Sequence, residues 1–372
     1  MPLKIEIDNH FYSSIGEPVY SEDDETFILN FPPPIYEIKV DYLLEPKTEI
    51  DHNNYTLFLF KNNFYAENHI YQVYESELDE RLGWMFPIQA INSKSHSFTD
   101  NQFFLNYAFA AIKILLIGSN LTRSNSSKFN RDNYSVLDFY EDDDILLVLS
   151  NQKIAKIENF SIDNFIPCLF KFGYHLVTSS KSGENIFHSQ NQFYDQLSTR
   201  IVLKPISKCL QSELYVNNLF KKFLPYEQHH LVRFSVLYQI VEWLIEKIFQ
   251  KELLSRIGDY RCRAPNDTIE FYELKESIIE LTNEKKRINK LFSNYANIAA
   301  SCHDLKRKCD ILLNALGKEQ NDSITHSLYR IRNILYHGYR NLNDVMVEMV
   351  EEINREFEIV IVELVINYSE DN

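Results

Sequence analysis

Arg332, Asn333 and His337 fall within one short run, Arg332-Asn333-Ile334-Leu335-Tyr336-His337, with Gly338 directly after it. Their types suit chemistry at a phosphodiester. An imidazole with an ordinary pKa of about 6.5 can take or give a proton at neutral pH. A guanidinium fork matches two phosphoryl oxygens. Asn333, one turn before His337, can hold the imidazole or a phosphate oxygen.

A helix must position these groups. At about 100° per residue, with Arg332 at zero, Tyr336 projects to about 40°, Asn333 to about 100°, His337 to about 140° and Arg330 to about 160°. Ile324, Leu328, Ile331 and Leu335 gather on the far side, at about 260–320°. One stripe is therefore apolar and enters a core. Tyr329 and Tyr336 lie on the polar arc, where they suit a dimer contact or stacking on an unpaired base. His326 and Arg330 share that arc. Asp322 or Ser323 is the expected N-cap. Gly338 is the expected stop, in the left-handed conformation, which places His337 in the last turn beside the negative end of the dipole.

These residues resemble the R-x4-6-H signature of HEPN domains, and Asn333 after the arginine matches the commonest family form. The resemblance covers the C-terminal segment, 206–372, and implies an all-α bundle. Its members are mostly metal-independent ribonucleases, with some that have lost catalysis. It therefore implies an RNA endonuclease that needs no cofactor and leaves a 2′,3′-cyclic phosphate and a 5′-hydroxyl. RNA carries its own nucleophile, the 2′-hydroxyl. Cleavage requires that oxygen deprotonated, the leaving 5′-oxygen protonated and the added phosphorane charge neutralised. Arg332 and His337 are separated by about 140° around one helix, so a single copy forms no compact site. The resemblance implies a homodimer whose composite site lies on the two-fold axis. It also implies a bacterial defence or toxin setting, tRNA or another structured RNA as target, and control by a regulatory protein or a phage trigger. The alternative is a silent HEPN-like bundle that serves dimerisation or ligand binding.

Elsewhere in this segment, Glu242 sits inside an apolar helical face. Either it pairs with Arg332 or Arg330 and orients the guanidinium, or it lies on the wet edge of the stripe. Lys285, Lys286, Arg287 and Lys290 form one basic run and Lys306, Arg307 and Lys308 another; each is a solvated face or a track for phosphates. Lys286 is the candidate substrate contact among them. Cys302, His303 and Cys309 fall short of a metal site. The expected helices are 230–255, ending near Gly258, then 270–296, 300–316 ending at Gly317, the motif helix, and 342–368 with Val345, Met349, Ile353, Phe357, Val360 and Leu364 on one stripe. Short connections make them an antiparallel bundle.

The N-terminal segment, 1–205, reads as a β-rich α+β domain of unknown role, such as a sensor or partner-binding module. Lys4 to Asp8 and Tyr36 to Tyr42 alternate as strands with one wet face. Pro32, Pro33 and Pro34 imply an extended approach to the second. Tyr55 to Phe60 reads as a doubly buried strand, 102–118 as a buried helix and Ser119 to Asn133 as a polar loop. Ser135 to Tyr140 and Ile145 to Ser150 read as a hairpin around Glu141 to Asp144, itself a solvated acidic turn or a cation site. Ile154 to Ile157 and Leu169 to Val177 read as further strands. The overall class is α+β.

Composition bounds the rest. Of 372 residues 45% are hydrophobic, enough for two cored domains. The net charge of −15 argues against a protein that coats nucleic acid by bulk charge. The imbalance is local: 206–372 holds 22 basic and 25 acidic residues, a net of −3, which leaves −12 for 1–205. Five cysteines without a C-x-x-C, no leader and no apolar stretch long enough for a bilayer lead us to expect reduced thiols in a cytoplasmic protein without a membrane anchor.

Overall fold

The computed structural model describes residues 3–44, 50–62, 66, 68–118, 126–177, 199–211, 213–262, 268–320 and 323–370. The chain divides into two compact units, one running to Lys204 and one beginning at Pro205. The first is β-rich and the second helical, which makes the class α+β. No helix among the described residues is long and apolar enough to cross a membrane.

The first unit is built around strand Asp144–Ser150, between Tyr55–Lys61 and Glu80–Pro87, antiparallel to both. Its run Ile145 to Leu149 is buried throughout because both faces are covered. Leu146 and Val148 join Leu57, Leu59, Trp84 and Phe86 beneath helix α1 (Gln102–Ile117). Ile145, Leu147 and Leu149 join Phe60, Val73, Met85 and Leu169 on the other face. Gly83 lies directly against this strand: a Cβ there would stand 1.9 Å from the Val148 carbonyl oxygen.

Four expectations for this unit are corrected. Residues Val136–Asp138 form a 3-10 turn capped by Ser135, so Ser135 to Tyr140 is no strand and no hairpin forms there. The serine hydroxyl accepts from the backbone and Asp138 returns the bond, a local solution that outcompetes pairing. Asn151–Ile154 and Ile166–Lys171 are short helices α2 and α3, leaving only His175–Leu176 as strand. The three prolines sit in the turn of a hairpin joining Thr26–Asn30 to Glu37–Asp41, closed by Phe31 N–H donating to the Tyr36 carbonyl at 2.8 Å. Of the expected loop Ser119 to Asn133, 119–125 lie outside the described residues, and Ser126–Lys128 pairs with Lys4–Ile7.

The second unit contains α4 (Leu214–Asn218), α5 (His230–Cys262), α6 (Thr268–Leu281), α7 (Glu284–Lys290), α8 (His303–Ala315), α9 (Ile324–His337) and α10 (Asp344–Asn367). Helix α5 runs through Gly258 rather than ending there. The expected helix 270–296 is broken: Asn283 caps α7 by accepting from Lys286 N–H at 3.2 Å, and a π-turn, Leu291–Tyr295, follows. In α10, Val350, Ile353, Phe357, Ile361 and Leu364 are buried against α5 and α8, while Val345 is exposed. Phe234 and Phe357 meet at 5.4 Å. Arg233 and Glu358 form a buried ion pair in which the arginine also donates to the Leu224 and Glu227 carbonyls, at 2.6 and 2.9 Å. Those carbonyls satisfy the guanidinium that burial would otherwise strand.

Candidate functional site

Helix α9 carries the motif and is held by its apolar stripe. Ile324, Leu328, Ile331 and Leu335 are buried, so the opposite arc must face outward. Leu328 and Ile331 are fully enclosed; truncating either to alanine costs about 3 kcal/mol. Ser327 is also buried and donates to Asp310 at 2.9 Å, with Lys306 on the same carboxylate at 2.6 Å. That bond fixes the rotation of α9 against α8. Ser323 occupies the N-cap position without a side-chain capping bond, and Asp322 lies outside the described residues. Gly338 ends the helix at φ −124°, not in the left-handed region, so the stop does not depend on glycine.

Arg332 and His337 point to different surroundings. Arg332 donates through Nη2 to Glu242 Oε1 at 2.9 Å and through Nη1 to Asn333 Oδ1 at 3.1 Å. Its guanidinium lies over the rings of Tyr336, at 4.8 Å, and Tyr238, at 5.7 Å. Burial works against its charge, but the Glu242 hydrogen bond and the carboxylates of Glu284 and Glu242 more than offset this and raise its pKa. Of the two readings for Glu242, the structure has the ion pair with Arg332. Tyr238, one turn before Glu242, is enclosed and donates to Glu284 at 3.3 Å. Burial first, then Glu284, pushes its phenol far above the ordinary range.

Asn333 and His337 instead line an open trough of about 660 Å³, together with Arg330, Ile334, Gly338, Leu316 and Lys318. The His337 side chain is exposed and makes no hydrogen bond or ion pair with a described residue. Asn333 is the link between the two settings, since its carbonyl oxygen holds Arg332 while its residue lines the trough. Arg330 also donates to the Glu319 carbonyl at 2.6 Å, tying α9 to the loop that supplies Lys318.

The remaining candidates lie near the start of α9 and beyond. His326 lines a separate cleft, and Tyr329 is covered by Lys285, whose ammonium stands 5.2 Å from the ring. Tyr336 is 44% exposed. Lys286 pairs with Glu280 at 2.6 Å, Lys290 with Glu252 at 2.6 Å and Arg287 with Glu246 at 3.5 Å. In the other basic run, Lys306, Arg307 and Lys308 pair with Asp310, Asp304 and Glu352.

Among the described residues, three carboxylates come close enough to hold a cation at Glu141, Asp143 and Asp144. The Lys61 ammonium occupies that position, at 2.6 Å from Glu141 and 2.9 Å from Asp144 and in contact with Asp143. One of the three carboxylate charges is thus compensated internally. Sequence reasoning missed Tyr238, Lys318 and Lys61. Tyr238 was findable, because it precedes Glu242 by one helical turn and must lie beside whatever Glu242 binds. Lys318 and Lys61 come from other elements and carry no local signal.

No protein-family model, no curated protein and no solved structure matches this chain.

Proposed function

We propose that the C-terminal unit is a metal-independent RNA endonuclease of HEPN type, working as a homodimer in defence or as a toxin. The observation that carries this reading is the trough in which an exposed, unbonded imidazole stands beside an amide and two cations: His337, Asn333, Arg330 and Lys318. A sugar–phosphate link seated there meets His337 as the proton-transfer group. Arg330 and Lys318 neutralise phosphoryl oxygens. Asn333 fixes the imidazole or the phosphate. With two copies related by a two-fold axis, one His337 takes the 2′-hydroxyl proton while its counterpart gives a proton to the leaving 5′-oxygen. Arg332, braced by Glu242, positions Asn333. The test is cleavage of total RNA by the purified protein in EDTA. Activity that persists in chelator and vanishes in His337→Ala supports the proposal. Equal cleavage by that variant refutes it.

One observation favours a silent binding module instead. The Arg332 guanidinium is committed to Glu242 and Asn333, and Arg332 is not itself among the described residues that line the trough. RNA bound but left intact by the activated dimer would select that reading.

A further inference from the structure

The polar stripe of α9 does not end at the trough. His326, Arg330, Asn333 and His337 are spaced i, i+4, i+7 and i+11, so they share one face along nearly the whole helix. The last three line the trough, and His326 lines a second cleft of about 460 Å³ with Lys285, Lys286, Lys290, Ser323 and Thr325. We propose that this second cleft is a phosphate-binding subsite that grips the backbone of a single-stranded RNA about five nucleotides from the link facing His337. The proposal rests on the nuclease reading and specifies its substrate.

Three features argue for phosphate. Three lysines from α7 converge on the cleft, whose lining carboxylate is Glu280, with Lys290 also held by Glu252 at 2.6 Å. The Lys286–Glu280 pair is more than half exposed on both sides, and such pairs contribute little and exchange readily for another anion. Helix α9 presents its N-terminal end here without a side-chain cap, since Ser323 and Thr325 bond to each other at 2.7 Å.

Length follows from the helix. Eleven residues at about 1.5 Å each set His326 and His337 about 16 Å apart along the axis. At about 3.4 Å per phosphate in a stacked strand, that span is about five nucleotides. A single strand fits better than a duplex because the exposed Tyr336 on this arc offers a ring to an unpaired base.

The test uses the full-length protein carrying His337→Ala to block cleavage, with a dye-labelled twelve-nucleotide single-stranded RNA. Adding Lys285→Ala, Lys286→Ala and Lys290→Ala should weaken binding about tenfold and reduce the slope of log Kd against log salt by about 2, at about 0.7 per lost phosphate contact. A control with Lys208→Ala and Lys222→Ala, both exposed and outside the cleft, should change neither. RNAs of three nucleotides should bind the parent and the lysine variant alike, and the difference should appear from about six. Unchanged affinity and slope in the lysine variant overturn the subsite, even if wild type cleaves RNA and His337→Ala does not. A control variant that weakens binding as much overturns it too. Displacement of the RNA by a poly-glutamate peptide at equal charge overturns RNA as the occupant. If the protein neither cleaves nor binds RNA, the nuclease reading fails and the subsite with it.

Discussion

The Arg332–Glu242 pair is the contact on which the motif's geometry turns, and a double-mutant cycle isolates it. The two groups meet at 2.9 Å with side chains 22% and 37% exposed, so solvent screens the attraction and its net worth is about 1 kcal/mol. Glu242→Ala leaves the guanidinium with Asn333 alone, and its Nε already lacks a partner, for a cost of about 1.5 kcal/mol. Arg332→Ala loses the same bond, the Asn333 bond and two ring contacts of about 0.5 kcal/mol each, for about 2.5 kcal/mol. The double variant should then cost about 3 kcal/mol, short of the sum by the pair's own contribution. Urea unfolding followed at 222 nm reads the helical unit; the two units need not unfold together, so its phase is fitted alone. Single costs that add to within about 0.3 kcal/mol would refute the argument that Glu242 holds Arg332. Arg332→Lys should keep part of the coupling to Glu242 that Arg332→Ala loses, because an ammonium still pairs with the carboxylate but lacks the planar fork that also serves Asn333.

Other outcomes follow from the same coordinates. Lys61→Ala should destabilise the β-rich unit by about 3 kcal/mol by leaving Glu141, Asp143 and the fully buried Asp144 uncompensated, and millimolar calcium should restore part of its Tm. Gly83→Ala should prevent that unit from folding, read by loss of soluble expression, since the new methyl collides with the Val148 backbone. Glu356→Gln should stabilise the helical unit at pH 7 by about 0.5 kcal/mol in urea unfolding. Burial, then Asp304, raises the Glu356 pKa above its unfolded value, so its ionisation costs stability as pH rises through that range. The gain should vanish below pH 4, where the native glutamate is itself neutral.

Period and composition made much of this fold legible. The 3.6-residue stripe of α9 predicted which of its residues are buried, because no competing interaction opposes burial of Ile324, Leu328, Ile331 and Leu335. The strand Tyr55–Lys61 was legible from its continuous apolar run. Boundaries failed where a polar side chain beats periodicity: Asn283 splits one expected helix and Ser135 turns an expected strand. In the site, neighbours on one helix could be read from spacing, including the separation of Arg332 from His337. Partners from other elements could not, since only the packed chain brings Lys318 to His337 or Lys61 to the acidic turn. The basic runs look like free cations in sequence, yet the fold gives most of them carboxylates across helix–helix grooves.

The central claim is that His337 transfers protons in the cleavage of an RNA phosphodiester. Mass spectrometry of the ends produced from a defined RNA in EDTA tests it most directly. The account predicts 2′,3′-cyclic phosphate and 5′-hydroxyl ends from the wild-type protein, and intact RNA with His337→Ala of unchanged Tm. Ends bearing a 3′-hydroxyl and a 5′-phosphate, or the same products from His337→Ala, would contradict it.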